Sequence, residues 1–184
     1  MLSPSQNPKV SICVISYNQE DYVRECLESI ITQKADFYYE IVVGEDCSTD
    51  NTAKIIELFA ETHDNIRLLD NTSNLGVLPN FIRTLRACKG KYIAFCEGDD
   101  YWIDENKLQT QVDFLEQNTK YGGVCGEIIS YNVEAKFEKR HLFKKEGDIV
   151  FDDLICQNKI HSNTILFRRD LLQRTQWRCI LKKI

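Results

Sequence analysis

The chain opens its ordered pattern with a strand-length apolar run, Val10-Ser11-Ile12-Cys13-Val14-Ile15-Ser16. From Asp21 to Gln33 the apolar positions change to helical spacing, with Tyr22, Cys26, Ile30 and Val23, Leu27, Ile31 in register. Tyr39 to Gly44 reads as a second strand, and Ser48-Thr49-Asp50 offers an N-cap for a helix from Asn51 to Thr62. Ile66 to Leu69 is a short third strand. Asn74-Leu75-Gly76 is a turn signal, followed by a helix over Asn80 to Cys88 that Lys89-Gly90 closes. Tyr92 to Cys96 is a fourth strand, Lys107 to Gln117 a helix with Leu108, Val112 and Leu115 on one face, and Gly123 to Tyr131 a further strand. Beyond Asn132 the rhythm breaks. Lys136 to Lys145 is a charged, solvated loop, Ile149 to Cys156 a short helical piece, and Thr164 to Arg168 a last strand.

Strand and helix alternate through four rounds. The pattern predicts an α/β fold, a mostly parallel sheet with helices on both faces. Right-handed crossovers then bring the loops after the strands to one edge.

Composition narrows this picture. The 184 residues suffice for one domain with a sizeable core, and 43% hydrophobic with 28% charged residues is ordinary for a globular chain. A net charge of −5 argues against nucleic acid as the main partner. No run of 18 apolar residues exists, so no transmembrane segment is expected, and Met1-Leu2-Ser3-Pro4-Ser5 lacks an apolar signal core. The eight cysteines form no Cys-x-x-Cys pair, which argues against zinc. Cys13, Cys26, Cys88 and Cys96 fall in apolar runs and read as core residues of a reducing compartment; a disulfide framework is the alternative.

The candidate chemistry lies at the predicted strand ends. Ser16-Tyr17-Asn18, Gly44-Glu45-Asp46-Cys47-Ser48-Thr49-Asp50 and Glu97-Gly98-Asp99-Asp100 converge on one cleft if the sheet is parallel. Three carboxylates within four residues repel one another, and a hard divalent ion relieves that repulsion. A ring at Tyr17, carboxylates at Asp46 and Asp99, and a metal-ready acid at Asp100 suit a nucleoside diphosphate. Simpler roles stand beside these. Tyr17 can merely cap its strand, Ser48-Thr49-Asp50 can cap a helix, Trp102 can pack, His161 can be a satisfied polar residue, and Lys144 and Lys145 can face solvent. A dinucleotide oxidoreductase needs Gly-x-Gly-x-x-Gly after the first strand, and Ser16-Tyr17-Asn18-Gln19-Glu20 has no glycine. A nucleotidyltransferase would carry a glycine-rich, basic first loop, also missing.

Val10 to Asn18, Glu45-Asp46-Cys47-Ser48-Thr49-Asp50-Asn51-Thr52, Asn74-Leu75-Gly76 and Glu97-Gly98-Asp99-Asp100 together resemble family 2 glycosyltransferases of the GT-A, Rossmann-like fold. The likeness runs through Tyr131, with a looser fit over Ser162 to Arg169. Glu97-Gly98-Asp99-Asp100-Tyr101-Trp102 resembles bacterial members that build surface polysaccharide. The resemblance implies inverting transfer of a sugar from a nucleotide-diphosphate donor to an acceptor hydroxyl, with Mn2+ or Mg2+ as cofactor and a saccharide or lipid-linked acceptor. It implies that Tyr17 and Asp46 hold the base, that Asn18 belongs to the nucleotide site, that Asp99 contacts ribose and that Asp100 binds the metal. Glu97 stands where Asp is commoner, and Cys47 replaces a usual glycine, so Cys47 must adopt ordinary dihedrals or bear strain. Residues 1–131 are then the donor-binding half, and 132–184 an incomplete acceptor-side half of the same domain. The setting implied is cytoplasmic, at the inner face of a membrane in peripheral contact. The family's general base follows the strand matching Thr164 to Arg168. Asp170 is too near that strand, no acid follows it, and no base is assigned. The 184-residue chain alone is expected to bind donor and transfer sugar poorly, unless Asp152 or Asp153 serves as base; a non-catalytic nucleotide-sugar-binding module is the alternative.

Overall fold

The structure, a computed structural model, describes residues 7–132, 136–141 and 161–174. Its centre is β1 (Val10–Ser16), which pairs in parallel with β2 (Tyr39–Glu45) and with β4 (Tyr92–Glu97). β3 (Ile66–Leu68) extends the sheet in parallel beyond β2. Past β4 come β8 (Leu166–Arg168), antiparallel to it, and β5 (Gly123–Val124), so the order is β3-β2-β1-β4-β8-β5. A separate antiparallel hairpin joins β6 (Ile128–Asn132) to β7 (Phe137–His141).

Strand alternation divides the core between the two faces of the sheet. Val10, Ile12 and Val14 of β1 pack with α1 (Val23–Ile31), α2 (Thr52–Thr62) and α4 (Lys107–Gln117) through residues such as Leu27, Ile56 and Leu108. Cys13, Val42 and Ile93 face the other way, onto Leu85 of α3 (Val77–Ala87) and Cys88. Helices therefore cover both faces, as the alternation predicts. Register aligns Ser16 with Glu45 and Ile15 with Glu97, which brings three strand ends to one edge. The pairing runs on past the strands, since Asp46 N donates to Ser16 O at 3.0 Å and Gly98 N to Ile15 O at 3.0 Å.

Several expected elements differ. α3 starts at Val77, three residues before Asn80, with Pro79 inside its first turn. Proline suits that turn, where backbone N–H groups have no intrahelical acceptor. Gly90 does not adopt a left-handed helix-ending conformation, because Gly76 is the only described glycine with positive φ. Gly90 is needed for close approach: a Cβ there would lie 2.4 Å from Ser11 N. The strand expected over Gly123 to Tyr131 breaks at Cys125-Gly126-Glu127, and its second half leaves the main sheet for the hairpin. Gly126 has no side chain to hold a strand to its neighbours there. The expected loop over Lys136 to Lys145 contains β7, whose exposed Glu138 and Lys139 conceal a backbone ladder to β6. Lys144, Lys145 and the helical piece expected over Ile149 to Cys156 lie outside the described residues. Cys13, Cys26, Cys47, Cys88, Cys96 and Cys125 are free thiols; Cys156 and Cys179 lie outside the described residues.

Candidate functional site

An open cleft of about 320 Å³ lies at the carboxyl edge of the sheet. Tyr17 after β1, Asp46 after β2 and Glu97 at the end of β4 all line it, with Asn74, Val77 and Asn80 on the side of α3. The three predicted segments thus meet at one place. Tyr17 is 45% exposed, and no ring or hydrogen-bond partner engages its side chain among the described residues. Its face is available to a planar ligand.

Asp46 is buried and organises the opposite wall. Its Oδ1 accepts from Leu75 N at 2.8 Å and from Asn71 Nδ2 at 3.1 Å, and its Oδ2 accepts from Gly76 N at 2.8 Å. The carboxylate therefore folds the 71–76 loop over the cleft. Gly76 permits the turn with φ of 85°. From the start of α3, Asn80 Nδ2 donates to Gly44 O at 2.7 Å and ties that helix to the end of β2.

The loops after β1 and β2 are laced together. Asn18 takes a positive φ of 53°, donates its N–H to Ser48 Oγ at 2.9 Å and accepts from Thr49 N at 2.8 Å through Oδ1. Gln19 N donates to Thr52 Oγ1 at 2.7 Å, and Asn51 N to Glu20 Oε2 at 2.9 Å. Ser48-Thr49-Asp50 is thus only partly a helix cap. Asp50 Oδ1 accepts from Thr52 N at 2.9 Å, while Ser48 and Thr49 serve the neighbouring loop, and the N-cap residue itself is Asn51. Cys47 bears the strain expected of a non-glycine there, with φ of 57°. Glu45 holds it: the buried carboxylate accepts from Cys47 N at 2.9 Å and Ser48 N at 2.7 Å. Nothing in the sequence pattern marks Glu45 for that role.

Of the acidic segment, Glu97 lines the cleft, whereas Asp99 and Asp100, like Asn18, are not among its lining residues. Glu97 and Asp99 are exposed and Asp100 is half-buried. Burial first, then the negative charges of Asp99 and Glu97, push the Asp100 carboxyl up to about 6. No lysine or arginine forms an ion pair with these acids among the described residues. Their partners come from a distant segment. Ser162 Oγ donates to Glu97 Oε1 at 2.9 Å, and Asn163 Nδ2 to Asp100 Oδ2 at 2.9 Å. Sequence reasoning missed both residues, because their only signal was a loose fit before β8. Trp102 packs in the core as its simpler reading holds, and its Nε1 also donates to Asn163 O at 3.0 Å. Asp170 is exposed, while Asp152 and Asp153 lie outside the described residues.

Gly98 makes this arrangement possible. A Cβ there would lie 2.4 Å from Gln19 Oε1 and 2.7 Å from Ser16 Oγ, so a larger residue would have to displace the hydrogen-bonded Ser16 and Gln19 side chains for the acidic loop to sit against the end of β1. Among the described residues no helix is long and apolar enough to cross a membrane.

Comparison with known proteins supplies the family and the fold. Residues 11–175 match the family described as Glycosyl transferase family 2. The putative teichuronic acid biosynthesis glycosyltransferase TuaG of Bacillus subtilis is 30% identical over 89% of this chain and 63% of its own length. Among solved structures, S. aureus TarS in complex with UDP superposes with a TM-score of 0.66 at 26% identity, over 90% of this chain and 48% of that one. Mannosyltransferase PcManGT from Pyrobaculum calidifontis, in complex with GDP-Man and Mn2+, shares the fold with a TM-score of 0.65 at 23% identity, over 93% of this chain and 47% of that one. The chain spans about half the length of the curated relatives it matches.

Proposed function

Because the chain belongs to glycosyl transferase family 2, we propose that it binds a nucleotide-diphosphate sugar in the cleft and that the whole protein transfers the sugar, with inversion, to an acceptor hydroxyl. The convergence of Tyr17, Asp46 and Glu97 on one cleft carries this reading. Tyr17 offers its exposed face to the base, Asp46 supports the base-side wall, and Asp99 is the acid for the ribose. Asn18 shapes the nucleotide site by holding the two loops together. Residues 1–131 supply most of the donor side and 132–184 an incomplete acceptor-side half of the same domain, which also lends Ser162 and Asn163 to the acidic segment. The likeness to TuaG, a putative teichuronic acid biosynthesis glycosyltransferase, supports a place in polysaccharide synthesis; in this reading the acceptor is a saccharide or a lipid-linked one, and the protein works in the cytoplasm at the inner face of a membrane.

The donor set fits a hard divalent ion, Mn2+ or Mg2+. Burial and then the negative charges of Asp99 and Glu97 raise the Asp100 carboxyl, and a bound cation would relieve that repulsion. Among the described residues no three His, Cys, Asp or Glu side chains form a complete cage. A hard divalent cation can be held by one or two carboxylates, with water and donor phosphates for the rest. Asp100 would hold it. When bound, such an ion neutralises charge developing on the departing nucleoside diphosphate.

The test is thermal stability with UDP, GDP and their sugar conjugates, in Mn2+ and in chelator. Ligand at a hundred times its dissociation constant stabilises the protein by about 2.7 kcal/mol. Asp100→Asn is expected to keep the fold and remove the metal-dependent part. Equal stabilisation in chelator and Mn2+ overturns the metal assignment, and no response to any nucleotide overturns the function.

A further inference from the structure

We propose that Asn163 is a positioning residue, which orients Asp100 for a divalent cation, while Ser162 holds the neighbouring Glu97 from the same turn. The inference rests on the assignment of Asp100 as cation ligand made above. Asn163 Nδ2 donates to Asp100 Oδ2 at 2.9 Å. An amide N–H on one carboxylate oxygen fixes the plane of the group and leaves Oδ1 for the ion. Ser162 Oγ holds Glu97 Oε1 at 2.9 Å in the same manner, one residue earlier on the same turn.

The turn that carries these donors, Ser162–Thr164, is itself fastened to the core. Asn163 O accepts from the indole of buried Trp102 at 3.0 Å. Trp102 N in turn donates to Ser29 Oγ of α1 at 3.0 Å. Buried Thr164 O accepts from Gln111 Nε2 of α4 at 2.8 Å, and Thr164 N donates to His161 O at 3.0 Å. β8 follows and pairs with β4, the strand that ends in Glu97. The turn is thus locked to α1, α4 and the acidic strand together. A donor held this rigidly limits the rotation of Asp100, so less orientational freedom is lost when the ion binds.

Asparagine also answers an electrostatic need. A fourth carboxylate would add to the repulsion among Glu97, Asp99 and Asp100, and a lysine would compete with the cation for Asp100. A neutral donor orients the acid and leaves its charge for the ion.

Mn2+ binding is measured from the free-ion electron paramagnetic resonance signal for the wild type, Asn163→Ala, Asn163→Leu and Ser162→Ala, without UDP and with equal UDP in every sample. Each protein's thermal midpoint in chelator serves as the fold control. Asn163→Ala is expected to weaken Mn2+ by about 10- to 100-fold, with a smaller loss for Ser162→Ala, while UDP affinity in chelator stays at the wild-type value. A purely structural role would lower the chelator midpoint and weaken UDP in chelator as well. Asn163→Leu keeps the side-chain volume without the donor and carries the test if the alanine variant unfolds. Wild-type Mn2+ affinity in a folded Asn163 variant overturns the positioning role. A wild type that takes up no Mn2+ overturns instead the cation assignment beneath it.

Discussion

Lys107 shows how a single side chain can cost stability while holding a site together. Its Nζ lies 4.1 Å from the centre of the Trp102 ring and donates to Gln111 Oε1 at 2.9 Å. Burial lowers it to about 8, against the opposing pull of Cys96 and Asp104. Below pH 8 the lysine is protonated both folded and unfolded, so the full burial penalty is present. Between about 8 and the ordinary lysine value of 10.5, the native state has released a proton that the unfolded chain still binds. Stability from this group therefore rises with pH in that window, by about 1.4 kcal/mol per pH unit at most. Lys107→Met is expected to be stabilising below pH 8, with an advantage that shrinks toward pH 10. Urea unfolding of both proteins across pH 7–10 checks this, and a pH-independent difference would refute it. Little of this scale was legible beforehand. The acids at strand ends stand out by residue type, whereas Glu45 and Asn163 take their roles from loops that meet only after folding. Cys47 was legible as a strained position because the resemblance expects a glycine there, and the structure gives it positive φ.

At the scale of elements, period-two and period-3.6 patterns predict the central strands and helices to within a residue or two, because burial on both faces enforces the pattern. They fail where another cause decides. The helix expected from Asn80 starts at Val77, with Pro79 inside its first turn, and charges hide β7 although its ladder needs only backbone groups. The packing of α3 on β2 depends on a position no periodicity reveals. A Cβ at Gly44 would lie 1.9 Å from Thr84 Oγ1 and 2.8 Å from Asn80 Oδ1. Neither group can retreat freely, since Thr84 Oγ1 donates to Asn80 O and Asn80 Nδ2 holds Gly44 O. Gly44→Ala is expected to push α3 off the sheet, at about 1–3 kcal/mol in denaturant unfolding. It should also weaken nucleotide binding, because Asn80 and Val77 line the cleft. An alanine variant with unchanged stability and binding would show that α3 does not depend on this contact.

At the scale of the whole molecule, β8 is what the linear pattern could not place. Sequence reading divides the chain after Tyr131, as though the donor side were nearly complete there. In the sheet, β8 lies between β4 and β5, with Leu166 fully buried in the main core. Such a pairing joins residues more than seventy positions apart, Tyr92 with Arg168, and no local signal encodes it. Arg168 strengthens the seam: its Nε donates to Tyr121 O at 2.9 Å and its Nη1 to the Tyr92 hydroxyl at 3.2 Å. Without this segment β4 becomes an open edge beside an uncovered apolar surface, a setting for association. The acidic cluster also loses Ser162 and Asn163. Residues 1–131 expressed alone are therefore expected to aggregate or to unfold without a sharp transition, whereas the 184-residue chain unfolds cooperatively. Size-exclusion chromatography and urea unfolding followed by circular dichroism separate the cases. A monomeric 1–131 fragment with a transition as steep as that of the full chain would mean that the donor side folds without β8, and that the strand's place beside β4 serves only the acidic site.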